Sequence, residues 1–124
     1  MERGTRLSTE ILEQDGVPLV RGRGEIDVHT VPEFERALRT GIERGASALV
    51  VDLSDISYLN SAGLSALVAA YKVLSARDAA LYVVAPPGRP GVRRVLEITR
   101  LDALMNVRDT VEEAIAQIKA STTA

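Results

Sequence analysis

Residues 48 to 53, ALVVDL, are a nearly continuous apolar run, too short for a helix and apolar on both sides of a pleat. A strand of that kind has to be covered on both faces, which α/β proteins achieve by laying helices against a parallel sheet. Residues 81 to 85, LYVVA, repeat the pattern. Between the two runs, Leu64, Leu67, Val68, Tyr71 and Leu74 recur at i, i+3, i+4, i+7 and i+10, an amphipathic helix that ends near Arg77-Asp78. Strand, helix and strand in this order commit the chain to an α/β layer structure.

The flanking segments extend the scheme. Residues 5 to 12 and 17 to 23 have extended character and are joined by Glu13-Gln14-Asp15-Gly16, whose Asp-Gly pair signals a hairpin turn. In GEIDVHTVPEFERAL, residues 24 to 38, Thr30 stands three residues before Glu33, the spacing of a capping box, and Pro32 falls in the first turn. Phe34, Ala37, Leu38, Gly41 and Ile42 then share one helical face. PPGRPG at 86 to 91 reads as a loop, Val92, Val95, Leu96 and Thr99 as a short helix, and LMNV at 104 to 107 as a last strand. Asp109 and Glu112 have capping-box spacing ahead of a final helix carrying Val111, Ala114, Ile115 and Ile118. The expected order is β-β-α-β-α-β-α-β-α: a mixed, mostly parallel sheet with flanking helices and right-handed crossovers. We read residues 1 to 124 as one domain, with a core over about 5 to 119 and a frayed polar tail at 120 to 124.

Composition removes several classes of function. There is no cysteine and a single histidine, so neither a disulfide framework nor a thiolate or histidine metal cluster is expected. A net charge of −2 without a basic block argues against nucleic acid as a partner. The absence of a long apolar run and of a signal-like N-terminus argues for no membrane and a cytoplasmic location. With 124 residues there is one core and no room for a deep two-lobed cleft, so any site is expected to be shallow.

Three chemistries compete on the residues. Asp27, Asp52, Asp55 and His29 could be read as acid/base groups, but nothing in the sequence signals a pocket that would shift their pKa, and no phosphate-cradling or nucleophile-elbow motif is present. Asp52 and Asp55 after a buried strand superficially suit a phosphoacceptor receiver domain, which would also need an acidic pair after its first strand and a lysine after its last. The lysines, Lys72 and Lys119, lie inside expected helices. The third reading centres on YLNSAGLSAL, residues 58 to 67, where the buried strand gives way to the second helix. A helix starting at Ser61 offers unpaired N–H groups and a positive dipole end, which suit a phosphate. Asn60 and Ser61 are also both favoured N-caps, Gly63 suits close packing, and Glu25 and Asp27 could be solvated loop acids.

Three segments in order, GEIDVHTVPEFERAL at 24 to 38, LVVDLSDISYLNSAGLSAL at 49 to 67 and VRRVLEITRLDALMNVRDTVEEAI at 92 to 115, resemble the STAS domain of bacterial anti-sigma factor antagonists. The resemblance implies a non-enzymatic switch without cofactor. Its partners would be an anti-sigma factor with serine kinase activity, and a serine phosphatase that resets the cycle; a weak homodimer is a further expectation. The phosphorylation site that matches is Ser61, and the partner-binding residues are Glu25, Asp27, Asn60, Ser61, Ala62, Gly63 and Leu64. Three positions depart from the family pattern: Asn60 where Asp is usual, Ala62 in place of a frequent second serine, and Arg100 where Gly is more frequent. The alternative is a STAS scaffold or ligand-sensing module that is never phosphorylated, which the neutral Asn60 keeps open.

Overall fold

The computed structural model describes residues 6–88 and 90–123. A hairpin opens the chain, β1 (Leu7–Gln14) pairing antiparallel with β2 (Val17–Ile26). Asp15 and Gly16 at its tip both have positive φ, 53° and 81°, as a two-residue type I′ turn requires. Then follow α1 (Val31–Glu43), β3 (Ala48–Leu59), α2 (Ser61–Ala76), β4 (Ala80–Val84), α3 (Pro90–Ile98), the one-turn α4 (Leu101–Leu104), β5 (Asn106–Arg108) and α5 (Val111–Thr123). The sheet order is β1-β2-β3-β4-β5, and all pairs after the hairpin are parallel.

Because spatial order follows chain order, crossovers of one hand put α1, α2 and α3 on the same face. The packing agrees. Phe34 and Leu38 of α1, Leu67 and Leu74 of α2 and Leu96 of α3 share a core with Val20, Leu49, Val51, Leu53, Leu81 and Val83 of the sheet. Val111, Ala114, Ile115 and Ile118 of α5 cover the other face over Leu19, Val50, Tyr82 and Val84. Val50 and Val51 are both fully buried, so β3 is sandwiched as its sequence demands.

The differences from expectation have local causes. β3 runs six residues past Leu53, with Asp52 accepting from Arg21 on β2 and from the Ser54 N–H along the strand. Asp52 accepts from Arg21 Nε at 3.2 Å, and Asp55 pairs with Arg23 at 3.6 Å. The expected Thr30–Glu33 capping box does not form: Thr30 makes no side-chain cap bond and Glu33 accepts from Thr9 Oγ1 at 2.6 Å, tying α1 to β1. The last helix is capped one residue later than expected, Thr110 Oγ1 accepting from the Glu113 N–H at 3.1 Å while Glu113 accepts from the Asp109 N–H. α5 itself continues to Thr123, into the segment read as a polar tail. The final strand begins at Asn106 rather than 104, because Leu104 closes α4 and is exposed while Met105 turns inward. The expected strand start at Thr5 and the last residue, Ala124, lie outside the described residues. No helix among the described residues is long and apolar enough to cross a membrane.

Phe34 is fully buried at the centre of the α1 contact. Phe34→Ala is expected to lower unfolding free energy by about 3–5 kcal/mol, since it removes a ring that the surrounding structure cannot replace. Urea denaturation followed by circular dichroism measures this.

Candidate functional site

The C-terminal ends of β2 and β3 lie side by side, Glu25 opposite Tyr58 and Ile26 opposite Leu59. The ladder continues one bond further, the Asn60 N–H donating to the Ile26 carbonyl at 3.1 Å. The two chains leaving these strands, one into α1 and one into α2, therefore start from adjacent points. All the candidate residues gather there.

On the β2 side, Asp27 organises the turn. Its Oδ1 accepts the N–H groups of His29 and Thr30 at 2.8 and 3.0 Å, and its carbonyl accepts from Val31 N–H at 2.9 Å. The buried Thr30 hydroxyl donates to the Glu25 carbonyl at 2.8 Å and accepts from the Asp27 N–H at 2.9 Å. These bonds to the charged carboxylate, that from the Thr30 backbone foremost, hold the Asp27 carboxyl below its ordinary range. Asp27 is thus a structural acid, not a merely solvated one. Its neighbour Glu25 makes no side-chain hydrogen bond or ion pair with another described residue.

On the β3 side, the ambiguity between Asn60 and Ser61 resolves. Asn60 has extended backbone and is the N-cap of α2: its Oδ1 accepts the Gly63 N–H at 3.0 Å and its carbonyl accepts the Leu64 N–H at 3.1 Å. Ser61 is the first helical residue, exposed, and its hydroxyl has no hydrogen-bond partner among the described residues. The N–H groups of Ser61 and Ala62 are those the helix geometry leaves without an intrahelical acceptor. A free hydroxyl therefore stands at the positive end of a helix whose capping is done by another residue.

The remaining positions differ in accessibility. Ala62 and Leu64 are half-buried and pack against the main core. Gly63 is buried: a Cβ there would come within 2.3 Å of Leu59 Cδ1 and 2.8 Å of Ile26 Cγ2. The absence of a side chain lets the start of α2 wedge against the strand ends, so Gly63 shapes the ridge from beneath. Two exposed apolar side chains flank the ridge, Val28 (65% exposed) after Asp27 and Tyr58 (52%) before Leu59. Sequence reasoning gave them no role, since nothing in their spacing distinguishes an exposed apolar residue from a core one. Such a mixed surface around an unengaged hydroxyl suits contact with another protein.

Acid/base chemistry finds no such gathering. Asp52 is ion-paired within the sheet and also accepts from the Ser54 N–H and hydroxyl. Asp55 is held by Arg23, and Asp27 by its own turn. Among the described residues no group of three His, Cys, Asp or Glu could hold a metal ion.

Comparison with known proteins places these features in a family context. The profile of the STAS domain matches residues 8–114. An anti-sigma-B factor antagonist of Staphylococcus aureus (strain NCTC 8325 / PS 47) is 38% identical over 106 residues, covering 86% of this chain and 96% of the relative. Its counterpart in Staphylococcus epidermidis is 36% identical over the same shares. The crystal structure of an anti-sigma factor antagonist from Mycobacterium paratuberculosis superposes with a TM-score of 0.86 at 32% identity, covering 96% of this chain and 99% of that one.

Two predictions follow from the bonding. Asn60→Ala should cost about 1 kcal/mol of stability by loss of the cap, whereas Ser61→Ala should stay within about 0.5 kcal/mol because no bond is lost; urea midpoints distinguish the two. Because the Asp27 pKa is lowered on folding, its contribution is present above the unfolded-state value of about 3.9 and is lost as pH falls through the lower folded value. Asp27→Asn should therefore flatten the acid limb of stability against pH. Glu33, lowered chiefly by the Thr9 hydrogen bond, should leave a residual slope.

Proposed function

The chain belongs to the STAS domain family, and on that premise we propose that it is an anti-sigma factor antagonist, a regulatory binding protein and not an enzyme, whose partner surface surrounds Ser61. In this reading it binds an anti-sigma factor with serine kinase activity in the cytoplasm and so frees the sigma factor. Phosphorylation of Ser61 breaks the complex, and a serine phosphatase restores it. Glu25, Asp27, Asn60, Ala62 and Leu64 frame the contact, with Gly63 setting the height of the ridge.

The observation that carries the proposal is the division of labour at the helix start. Asn60 caps, so the Ser61 hydroxyl is exposed and unengaged, free to attack the γ-phosphorus of ATP once a kinase base removes its proton, with the bond to the bridging oxygen breaking and ADP leaving. The phosphoryl group would bring about −1.5 to −2 charge into a closely packed contact, and a loss of about 1.4 kcal/mol is already tenfold in affinity. No change of backbone is needed. The neutral Asn60 keeps the cap and adds no charge to repel the phosphate.

Incubation with the cognate anti-sigma kinase, ATP and Mg²⁺ is expected to add one phosphoryl mass to the wild-type chain and none to Ser61→Ala. Ser61→Asp is expected to weaken kinase binding about tenfold or more. Binding without any adduct would instead support an unphosphorylated STAS scaffold, and no binding to any cognate kinase would overturn the antagonist reading.

A further inference from the structure

From Ser61 an open groove of about 570 Å³ runs along α2, between that helix and the turn joining α3 to α4. Its floor is apolar, with Leu64 and Val68 on one side and Leu101 on the other. Its lining also carries the hydroxyls of Ser61, Ser65 and Thr99, with Lys72 at the far end and no acid among the described residues. Ser61 and Lys72 are eleven residues apart, about 16 Å of helix at 1.5 Å per residue, which is the length of three helical turns.

Arg100 adds an independent observation. It joins α3 to α4 with φ 63° and ψ 17°, between Thr99 and Leu101, which both line the groove. Three non-glycine residues among those described have positive φ, and the other two, Asp15 and Asp78, are of a type that tolerates it. Glycine would take the Arg100 conformation freely; arginine takes it under strain, and strain of this kind collects where a side chain is needed. The Thr99 N–H donates to the Val95 carbonyl and the Arg100 N–H to the Glu97 carbonyl, both at 3.1 Å, so the backbone of this turn beside the groove is fixed, although the Arg100 side chain is not part of the lining itself. Arg100 and Lys72 are exposed, and neither has a side-chain hydrogen bond or ion pair with another described residue. Of the acids near the turn, Glu97 is already held by Arg93 at 3.3 Å, and Asp102 lies on α4. Ile98 at the end of α3 and Leu104 at the end of α4 are exposed apolar residues, 70% and 45% accessible.

We propose that this groove receives an amphipathic, acid-bearing helix of the anti-sigma factor, with Lys72 and Arg100 as specificity-determining residues that pair with its carboxylates. The inference rests on the antagonist reading and adds the chemistry of the partner. An apolar stripe at i, i+3, i+4 and i+7 fills the floor, and acids along its edge meet the two cations. Ser61 closes one end of the same groove. A phosphoryl group there sets like charge against the acidic helix, which explains how one modification can release a contact several turns long.

The test is calorimetric titration of a purified anti-sigma factor that binds the wild-type chain into four variants. Lys72→Glu combined with Arg100→Glu is expected to weaken binding about tenfold or more, and to flatten its salt dependence. Arg100→Gly should be at least as stable as wild type, because relief of the left-handed strain offsets glycine's backbone entropy, and yet bind more weakly, a combination that a purely structural role would not produce. Arg39→Glu with Arg77→Glu, on the groove between α1 and α2, should leave affinity unchanged. If the Lys72/Arg100 variants bind within twofold of wild type while Ser61→Asp abolishes binding, the groove proposal fails and the antagonist reading stands. If Ser61→Asp is also without effect, both fail.

Discussion

The fold rests on the burial of the first half of β3, Ala48 to Leu53, on both faces. Leu49, Val51 and Leu53 face the helices α1 to α3, and Val50 faces α5, so neither helical layer has a continuous floor without this strand. At about 25 cal/mol per Å² of apolar surface removed from water, such two-sided burial is the largest single stabilising contribution a short strand can make. It also sets the position of the functional ridge. β3 carries the chain past β2, its end pairs with Ile26, and α2 has to begin there, with Gly63 allowing the helix to seat against Leu59.

Where the periodicity is strong the sequence is legible. The 48–53 run, the Asp15-Gly16 turn and the apolar stripe of α2 each fold as their pattern demands, because local preference and burial agree. The polar second half of β3 was not legible. Ser54 and Asp55 look like loop residues until β2 supplies Arg23, which pairs with Asp55 across the sheet. The Thr30–Glu33 spacing misleads for a related reason: Asp27 offers the turn a charged acceptor, and Thr9 claims Glu33 from a strand far away in sequence. Arg100 gives no local sign that it ends one helix in a left-handed conformation and starts another.

The candidate site divides along the same line. Its residues were nameable through the resemblance of GEIDVHTVPEFERAL and LVVDLSDISYLNSAGLSAL to family segments, but spacing alone leaves Asn60 and Ser61 equivalent as caps. The choice is made by the Asn60 N–H bonding to Ile26, a contact across 34 positions that places Asn60 outside the helix and Ser61 inside it. The apolar flank of Val28 and Tyr58, and the groove beyond Ser61, likewise exist only once separate segments meet.

That capping and the free hydroxyl belong to adjacent but different residues bears on how such a domain can evolve. The side chain at position 61 makes no hydrogen bond with another described residue, so its substitution crosses no stability threshold, while position 60 is held in place by the architecture. A lineage could lose the hydroxyl, keep a well-folded binding domain, and later regain the hydroxyl by a single codon change. Regulation can therefore drift while structure stays constant, and two chains of this fold can differ in whether they respond to a signal without differing in how they are built.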